Sequence, residues 1–398
     1  MKGDDRMEQK NYKFQDVCEI VTDYVANGSF KSLADNVQYS DKKDYARLIR
    51  LVDFNNNYDE KNAVWVPESS YNFLKKSVLY GDEVIISNVG ANLGTVFKCP
   101  KLTYPMTLGP NSLLIRTNDL CNQNYLYYYL KSKIGYSKLM SLVSGSAMPK
   151  FNKTELRNME ISLPDRAYQD KAVEVLIKID KKIELNNKIN NNLYEMGDNL
   201  YNEYFGKYKD NLPSDYKIVK LNEVADNYDS KRKPMSSRER EQHRGIYPYY
   251  GATSIIDYVD DYIFDDIYLL MGEDGTVKTN DGYPVLQYIW GKNWINNHAH
   301  VLKGKNISTE LLMFALRKIN IENIITGAVQ PKINQENMNK IEFVIGSDSK
   351  NKELEDILKI LMDKSKNIIE ENKKLEELRD TLLPKLMNGE IDLDNIEI

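Results

Sequence analysis

This chain carries one long phrase twice, and that repeat restricts its fold more than any other feature. Gly145-Ser146-Ala147-Met148-Pro149-Lys150-Phe151-Asn152 returns as Gly327-Ala328-Val329-Gln330-Pro331-Lys332-Ile333-Asn334, 182 residues later. Gly94-Thr95-Val96 returns as Gly275-Thr276-Val277 at an offset of 181. A short apolar strand follows each Pro-Lys phrase, Met159-Glu160-Ile161 and Ile341-Glu342-Phe343, and a long polar helix follows each strand. Solenoid units run ~20–50 residues, so this period describes two whole domains, each with its own helix. The predicted fold class is α+β, with two pseudo-symmetric mixed α/β domains separated by two long coiled-coil helices.

The expected divisions are a first domain over 12–164, a helix over 165–206 and a linker over 207–215. A second domain over 216–346, a second helix over 347–390 and a tail over 391–398 complete the chain. Within the domains, Val84-Ile85-Ile86 and Leu113-Leu114-Ile115 follow turn residues and read as strands. Asn124 to Leu130 reads as a short helix with its counterpart at Glu310 to Arg317. In the first long helix Leu176, Ile179, Ile183, Asn186, Asn190 and Leu193 fall on steps of three and four, a heptad seam. Leu358, Leu361, Ile368, Asn372 and Leu375 repeat it. Asn190 and Asn372 are equivalent by the repeat; either they pin the register of the seam or they mark a frayed stretch. Each helix would be ~55–60 Å long at 1.5 Å per residue, more than one domain core requires. Pro384 and Gly389 are expected to end the second.

The formal charge of −5 seems unsuited to a polyanion, but its distribution is uneven. From Asp348 onward there are nine Lys/Arg against fourteen Asp/Glu, so the remainder is neutral and free to carry basic patches. No stretch approaches the ~18 apolar residues of a membrane span, and Met1 to Lys10 lacks a secretory pattern. Cys18, Cys99 and Cys121 form no Cys-x-x-Cys pair, which fits reduced thiols in a cytoplasm and no zinc framework. Abundant Tyr, Asn, Lys and Ile is explained by AT-rich coding.

Motifs of catalysis are missing. No Gly-Lys is followed by Ser or Thr, so there is no P-loop, and no Pro-Pro exists for an amino-methyltransferase signature. A nuclease-like string from Pro164-Asp165 to Asp180-Lys181-Lys182 would place its carboxylates far apart along a helix. His298-Ala299-His300 could present two ligands on one strand face, but with no third ligand it reads as a polar face, and no metal site is expected. What the second domain does offer is a basic stretch, Lys231, Arg232, Lys233, Arg238, Arg240 and Arg244, read as a flexible loop because Pro234, Ser236 and Ser237 flank it. Beside it lie Tyr249 and Tyr250. Cations next to aromatics suit phosphate contact and groove entry, and Gln330 and Lys332 are side chains able to read base edges.

The phrases Tyr247-Pro248-Tyr249-Tyr250-Gly251-Ala252-Thr253, Asp274-Gly275-Thr276-Val277, Asn296-Asn297-His298-Ala299-His300-Val301-Leu302 and Gly327 to Lys332, in that order, resemble the target-recognition domain of type I restriction-modification specificity subunits. Gly81 to Ser87, Val89-Gly90 and Gly145 to Lys150 carry the resemblance in the first half, and the whole resemblance extends from about Phe14 to Ile391. One departure is Met148 where the second half has Gln330. The resemblance implies that each domain reads one half of a split double-stranded DNA site. It implies two antiparallel helices that set the gap and dock two copies of a methyltransferase subunit. S-adenosylmethionine would be bound by that subunit, and ATP and Mg by two motor-endonuclease subunits where cleavage occurs, leaving this chain without cofactor or catalysis. The DNA-binding candidates are Asn88, Asn92 and Lys150 in the first domain. In the second they are Lys231, Arg232, Lys233 and Arg238, then Tyr249, Tyr250 and Lys278, then His298, Gln330 and Lys332. The seam residues are the candidates for subunit docking. The competing readings are a single-chain methyltransferase or nuclease component, and a coiled-coil scaffold that binds protein only.

Overall fold

The structure is a computed structural model that describes residues 7–145, 148–327 and 329–393. Ser146, Ala147 and Ala328 of the repeated phrases, and most of the expected tail, lie outside the described residues. Two compact units divide the chain: residues 1–183 with 373–398, and residues 184–372. Each unit therefore holds one domain and a segment of both long helices.

The two domains share a strand plan. In the first, Cys18–Asp23, Ser112–Thr117, Val84–Ser87 and Val96–Lys98 form an antiparallel sheet in that order. In the second, Ala225–Asn227, Ala299–Gly304, Tyr268–Gly272 and Leu286–Ile289 repeat it. The other four-stranded sheet orders Val64–Val66, Ala46–Ile49, Met106–Leu108 and Val78–Leu79, with its central pair parallel. Its counterpart orders Ile255–Val259, Arg244–Tyr250, Lys292–Ile295 and Phe264–Asp265, again with a parallel central pair. A two-stranded ribbon closes each domain, Lys10–Lys13 with Glu160–Leu163 and Lys217–Lys220 with Glu342–Ile345. The central strands Val84–Ser87 and Tyr268–Gly272 are buried along their whole length. That is why they read as continuous apolar runs rather than alternating ones.

The equivalence of Gly94-Thr95-Val96 with Gly275-Thr276-Val277 does not hold. Ile86 pairs with Val96, whereas Met271 pairs with Leu286, so Val96 corresponds to Leu286.

The first long helix is Arg166–Tyr204 and the second Asp348–Met387. Pro384 lies inside the second helix rather than ending it; within the last turn the missing N–H costs one bond only. Gly389, at φ +67°, follows the end. In each unit the helix segments run antiparallel. In the first, Arg379 Nη1 donates to Asp180 at 3.1 Å. In the second, Asn186 donates to Asn372 at 2.8 Å and Tyr204 to Glu353 at 2.8 Å. Leu176, Ile179, Leu193, Leu358, Leu361 and Ile368 are buried, Ile183 and Leu375 half-buried. The Asn372 position is buried and bonded, not frayed, but its partners are Asn186 and Asn187. Asn190 Oδ1 is buried without a hydrogen bond.

Domain and helices share one core in each unit. Leu176 and Leu386 join the cluster of Tyr125 and Leu126 in the first, and Leu193, Leu358 and Ile368 join that of Leu311 and Phe314 in the second. The contacts differ chemically. Tyr128 donates to Asp180 at 2.5 Å in the first unit. In the second, Gly197 opens a notch in the helix where the Phe314 ring sits, and a Cβ there would run into that ring. None of the described helices is long and apolar enough to cross a membrane.

Candidate nucleic-acid interface

Three segments meet at one edge of each domain, bound by the same backbone hydrogen bonds. In the second domain the turn after Tyr268–Gly272 receives the Gly327 to Lys332 loop. Gly275 N–H donates to the Pro331 carbonyl at 3.0 Å, and Ile333 N–H to the Glu273 carbonyl at 2.8 Å. Glu273 N–H donates to the His298 carbonyl at 2.9 Å, which brings in the turn before Ala299–Gly304. In the first domain Gly90 bonds Pro149 at 3.1 Å, Phe151 bonds Asn88 at 3.3 Å, and Asn88 bonds Asn111 at 3.2 Å. Glu273 thus corresponds to Asn88, Gly275 to Gly90 and His298 to Asn111.

Each loop is pinched shut at its base. Thr326 and Lys332 exchange backbone bonds of 2.8 and 2.7 Å, Ser144 and Lys150 bonds of 2.9 and 3.0 Å. Gly327 and Gly145 each adopt φ +90°, a region that favours glycine. The tips stand clear: Val329 is 100% exposed and Met148 63%. Gln330, Lys332, Lys150 and Asn92 are exposed at the same edges. Lys150 makes no ion pair among the described residues.

Beneath the second loop lies a charged cluster that sequence reasoning missed. His300 Nδ1 is 2.6 Å from Asp229, and its Nε2 2.8 Å from the Ile333 carbonyl. Arg232 Nη1 lies 2.6 Å from Glu273, and Lys332 Nζ lies 3.2 Å from the other Glu273 oxygen. Burial pushes the Asp229 carboxyl up, but the hydrogen bond and charge of His300 outweigh it and hold it below the usual carboxylate range. Burial likewise opposes Glu273, which the Arg232 bond and the His300 and Arg232 charges hold low. Asp229, Glu273 and His300 bring ligand atoms within 4.8 Å of one another. Arg232 already supplies positive charge there, so the trio is neutralised by protein. His298 precedes the strand and is exposed, so the two histidines do not share a face.

The basic stretch is not a flexible loop. Asp229–Lys231 is a 3-10 turn, and Ser237–Gln242 is a short helix that Ser236 and Glu239 cap reciprocally. This order sorts its cations. The Arg232 guanidinium, 12% exposed, also donates to the Ala299 carbonyl at 2.7 Å and so faces inward. Arg240 pairs with Asp257 at 3.0 Å and lies over the Tyr249 ring. Tyr249 is buried, its hydroxyl accepting from Met235 N–H at 2.8 Å, and is a core residue rather than a surface contact. Tyr250 is half-buried. Lys278 is tied to Glu322. Lys231, Lys233 and Arg238 remain exposed and make no ion pair among the described residues. Lys231 rests on the Tyr228 ring, and the Lys233 carbonyl accepts from Trp294 Nε1 at 2.6 Å.

Of the helix candidates, most seam residues are buried within their own unit, packed with the domain cores, while Ile183 and Leu375 are half-buried. The apolar side chains facing water on the helices are Leu185, Met196 and Ile360 in the second unit and Leu378 in the first. Met196 and Leu378 are equivalent by the 182-residue offset.

Two domains of one plan, each presenting a loop edge with cations and amides braced by the same backbone bonds, define a duplicated two-domain class of protein. The chain belongs to the type I restriction modification DNA specificity domain family, whose model matches it twice, over residues 7–195 and 213–379. It is 34% identical over 126 residues to a Haemophilus influenzae protein assigned as a type I restriction enzyme specificity subunit, covering 31% of this chain and 32% of that one. It is 21% identical over 325 residues to the MjaIX type I restriction enzyme specificity subunit of Methanocaldococcus jannaschii, covering 73% and 74%. The match thus spans about a third of the first relative and about three quarters of the second. In fold it is similar to the type I restriction-modification S subunit from M. genitalium, with a TM-score of 0.59, 16% identity and coverage of 97% and 98%.

Proposed function

We propose that this chain is the DNA-reading subunit of a cytoplasmic type I restriction-modification complex. Each domain reads one half of a bipartite double-stranded target, and the two long helices set the gap. Two copies of a methyltransferase subunit dock on the helices, through outward side chains such as Met196 and Leu378 rather than through the seam. Their equivalence under the repeat suits two identical partners. The methyltransferase supplies S-adenosylmethionine chemistry, and two motor-endonuclease subunits would bring ATP and Mg; this chain contributes no catalysis and no cofactor.

The observation that carries this reading is the loop edge built twice on the same backbone bonds. Loops bonded at their bases fix where side chains meet a groove, while the bases they meet are set by side chains that differ between the domains. The test is DNA binding and methyl transfer by the purified chain, with and without a co-expressed methyltransferase. Salt-dependent DNA binding and methylation only with the partner are expected. Methyl transfer by the chain alone would overturn the reading.

A further inference from the structure

We infer that Asn111 and His298, which occupy the same backbone position of the two domains, are the base-reading residues that give the two half-sites different sequences, with Asp274 positioning His298. The inference rests on the DNA-reading function proposed above. Both carbonyls accept the same bond, from Asn88 N–H and Glu273 N–H respectively, so both side chains start from one point of the braced edge. Both residues are exposed.

Their chemistry differs. Asn111 has φ +63°, a left-handed conformation that asparagine tolerates, and it rims a cleft of about 290 Å³ with Arg50, Ser87, Val89 and Asn92. Its amide makes no hydrogen bond among the described residues. An amide with free donor and acceptor matches the N6 and N7 edge of adenine. His298 is instead held by its neighbour, with Nδ1 2.6 Å from Asp274 Oδ1. Asp274 stands next to Gly275 in the turn that receives the loop, and His298 N–H donates to Asn296 Oδ1 at 2.8 Å. The first domain has Val89 beside Gly90, so Asn111 has no such orienting partner. With Nδ1 turned to the carboxylate, Nε2 is the ring nitrogen left to meet a base edge. The first half-site therefore contains an adenine under Asn111, and the second a base read through the single ring nitrogen of His298 rather than through a bidentate amide.

The experiment selects bound duplexes from a randomised DNA library with the full chain in complex with its methyltransferase. The variants are Asn111→Gly, which keeps the left-handed backbone and removes only the amide, His298→Ala and Asp274→Ala. Asn111→Gly should lose roughly ten- to hundredfold discrimination at one base pair of one half-site and leave the other half unchanged. His298→Ala should do the same in the other half, and Asp274→Ala should relax that same base pair although His298 is still present. Weaker binding with an unchanged motif would overturn the inference, because a phosphate contact or a folding defect lowers all sequences alike. A wild-type complex that selects no bipartite motif would instead refute the function proposed above, so the two failures are distinct.

Discussion

Adjacent cations of the Lys231-Arg232-Lys233 run should respond to mutation in opposite ways. Arg232→Ala removes the guanidinium that bonds Glu273 at 2.6 Å and the Ala299 carbonyl at 2.7 Å. It leaves Glu273 and Asp229, side chains 14% and 13% exposed, beside each other with less positive charge. Breaking a buried pair from one side costs about 3–5 kcal/mol. We take the lower end, about 3 kcal/mol, because Lys332 and His300 still face Glu273 and Asp229; that is roughly a hundredfold in the folding equilibrium. Lys231→Ala with Lys233→Ala removes two exposed charges, and surface charges contribute about 0–1 kcal/mol. The double variant should instead flatten the salt dependence of DNA binding by about one counterion unit per lost phosphate contact. Urea unfolding read by Trp290 and Trp294 fluorescence reports on this domain directly, since the Trp294 indole bonds the Lys233 carbonyl. A stable Arg232→Ala protein with a flattened salt slope would refute the assignment and return Arg232 to the DNA.

Three further outcomes follow from the packing. Gly197→Ala should destabilise the second unit by about 1–3 kcal/mol through overpacking against Phe314, lowering its urea midpoint; an unchanged midpoint would mean the notch is slack. Tyr128→Phe should cost the first unit about 1.5 kcal/mol for a lost bond to the Asp180 carboxylate, visible in Trp65 fluorescence and silent in the second unit. The depressed carboxyls of Asp229 and Glu273 contribute stability that is complete above about pH 5 and lost as pH falls through their folded values. Urea midpoints of the second unit should therefore drop in acid, and less so for Arg232→Met; equal acid sensitivity in both proteins would contradict this linkage.

The linear order of residues by itself determined the duplication, the mixed domains, the two long helices and their seam, and the family. These depend on local periodicity and on repeated phrases, which need no knowledge of contacts. It also singled out Gln330, Lys332, Lys150 and His298, which the structure leaves exposed at the loop edges of their domains. Only the tertiary structure decided which charges reach water. Three consecutive basic residues look alike in a sequence, but a 3-10 turn directs Arg232 inward toward Glu273 and leaves Lys231 and Lys233 outside. Tyr249 looks like a surface aromatic beside a basic stretch, yet it is buried beside Arg240. A heptad pattern shows that the seam residues are buried but not against what, and in the structure most of them pack into the core of their own unit. Equivalence at the reading edge was hidden for a related reason. The helices and Pro-Lys loops repeat at 182, but Asn111 and His298 are 187 apart and Asn88 and Glu273 185, because the intervening connections differ in length. Hydrogen bonds between segments distant in the chain set that register, and a fixed offset cannot express them.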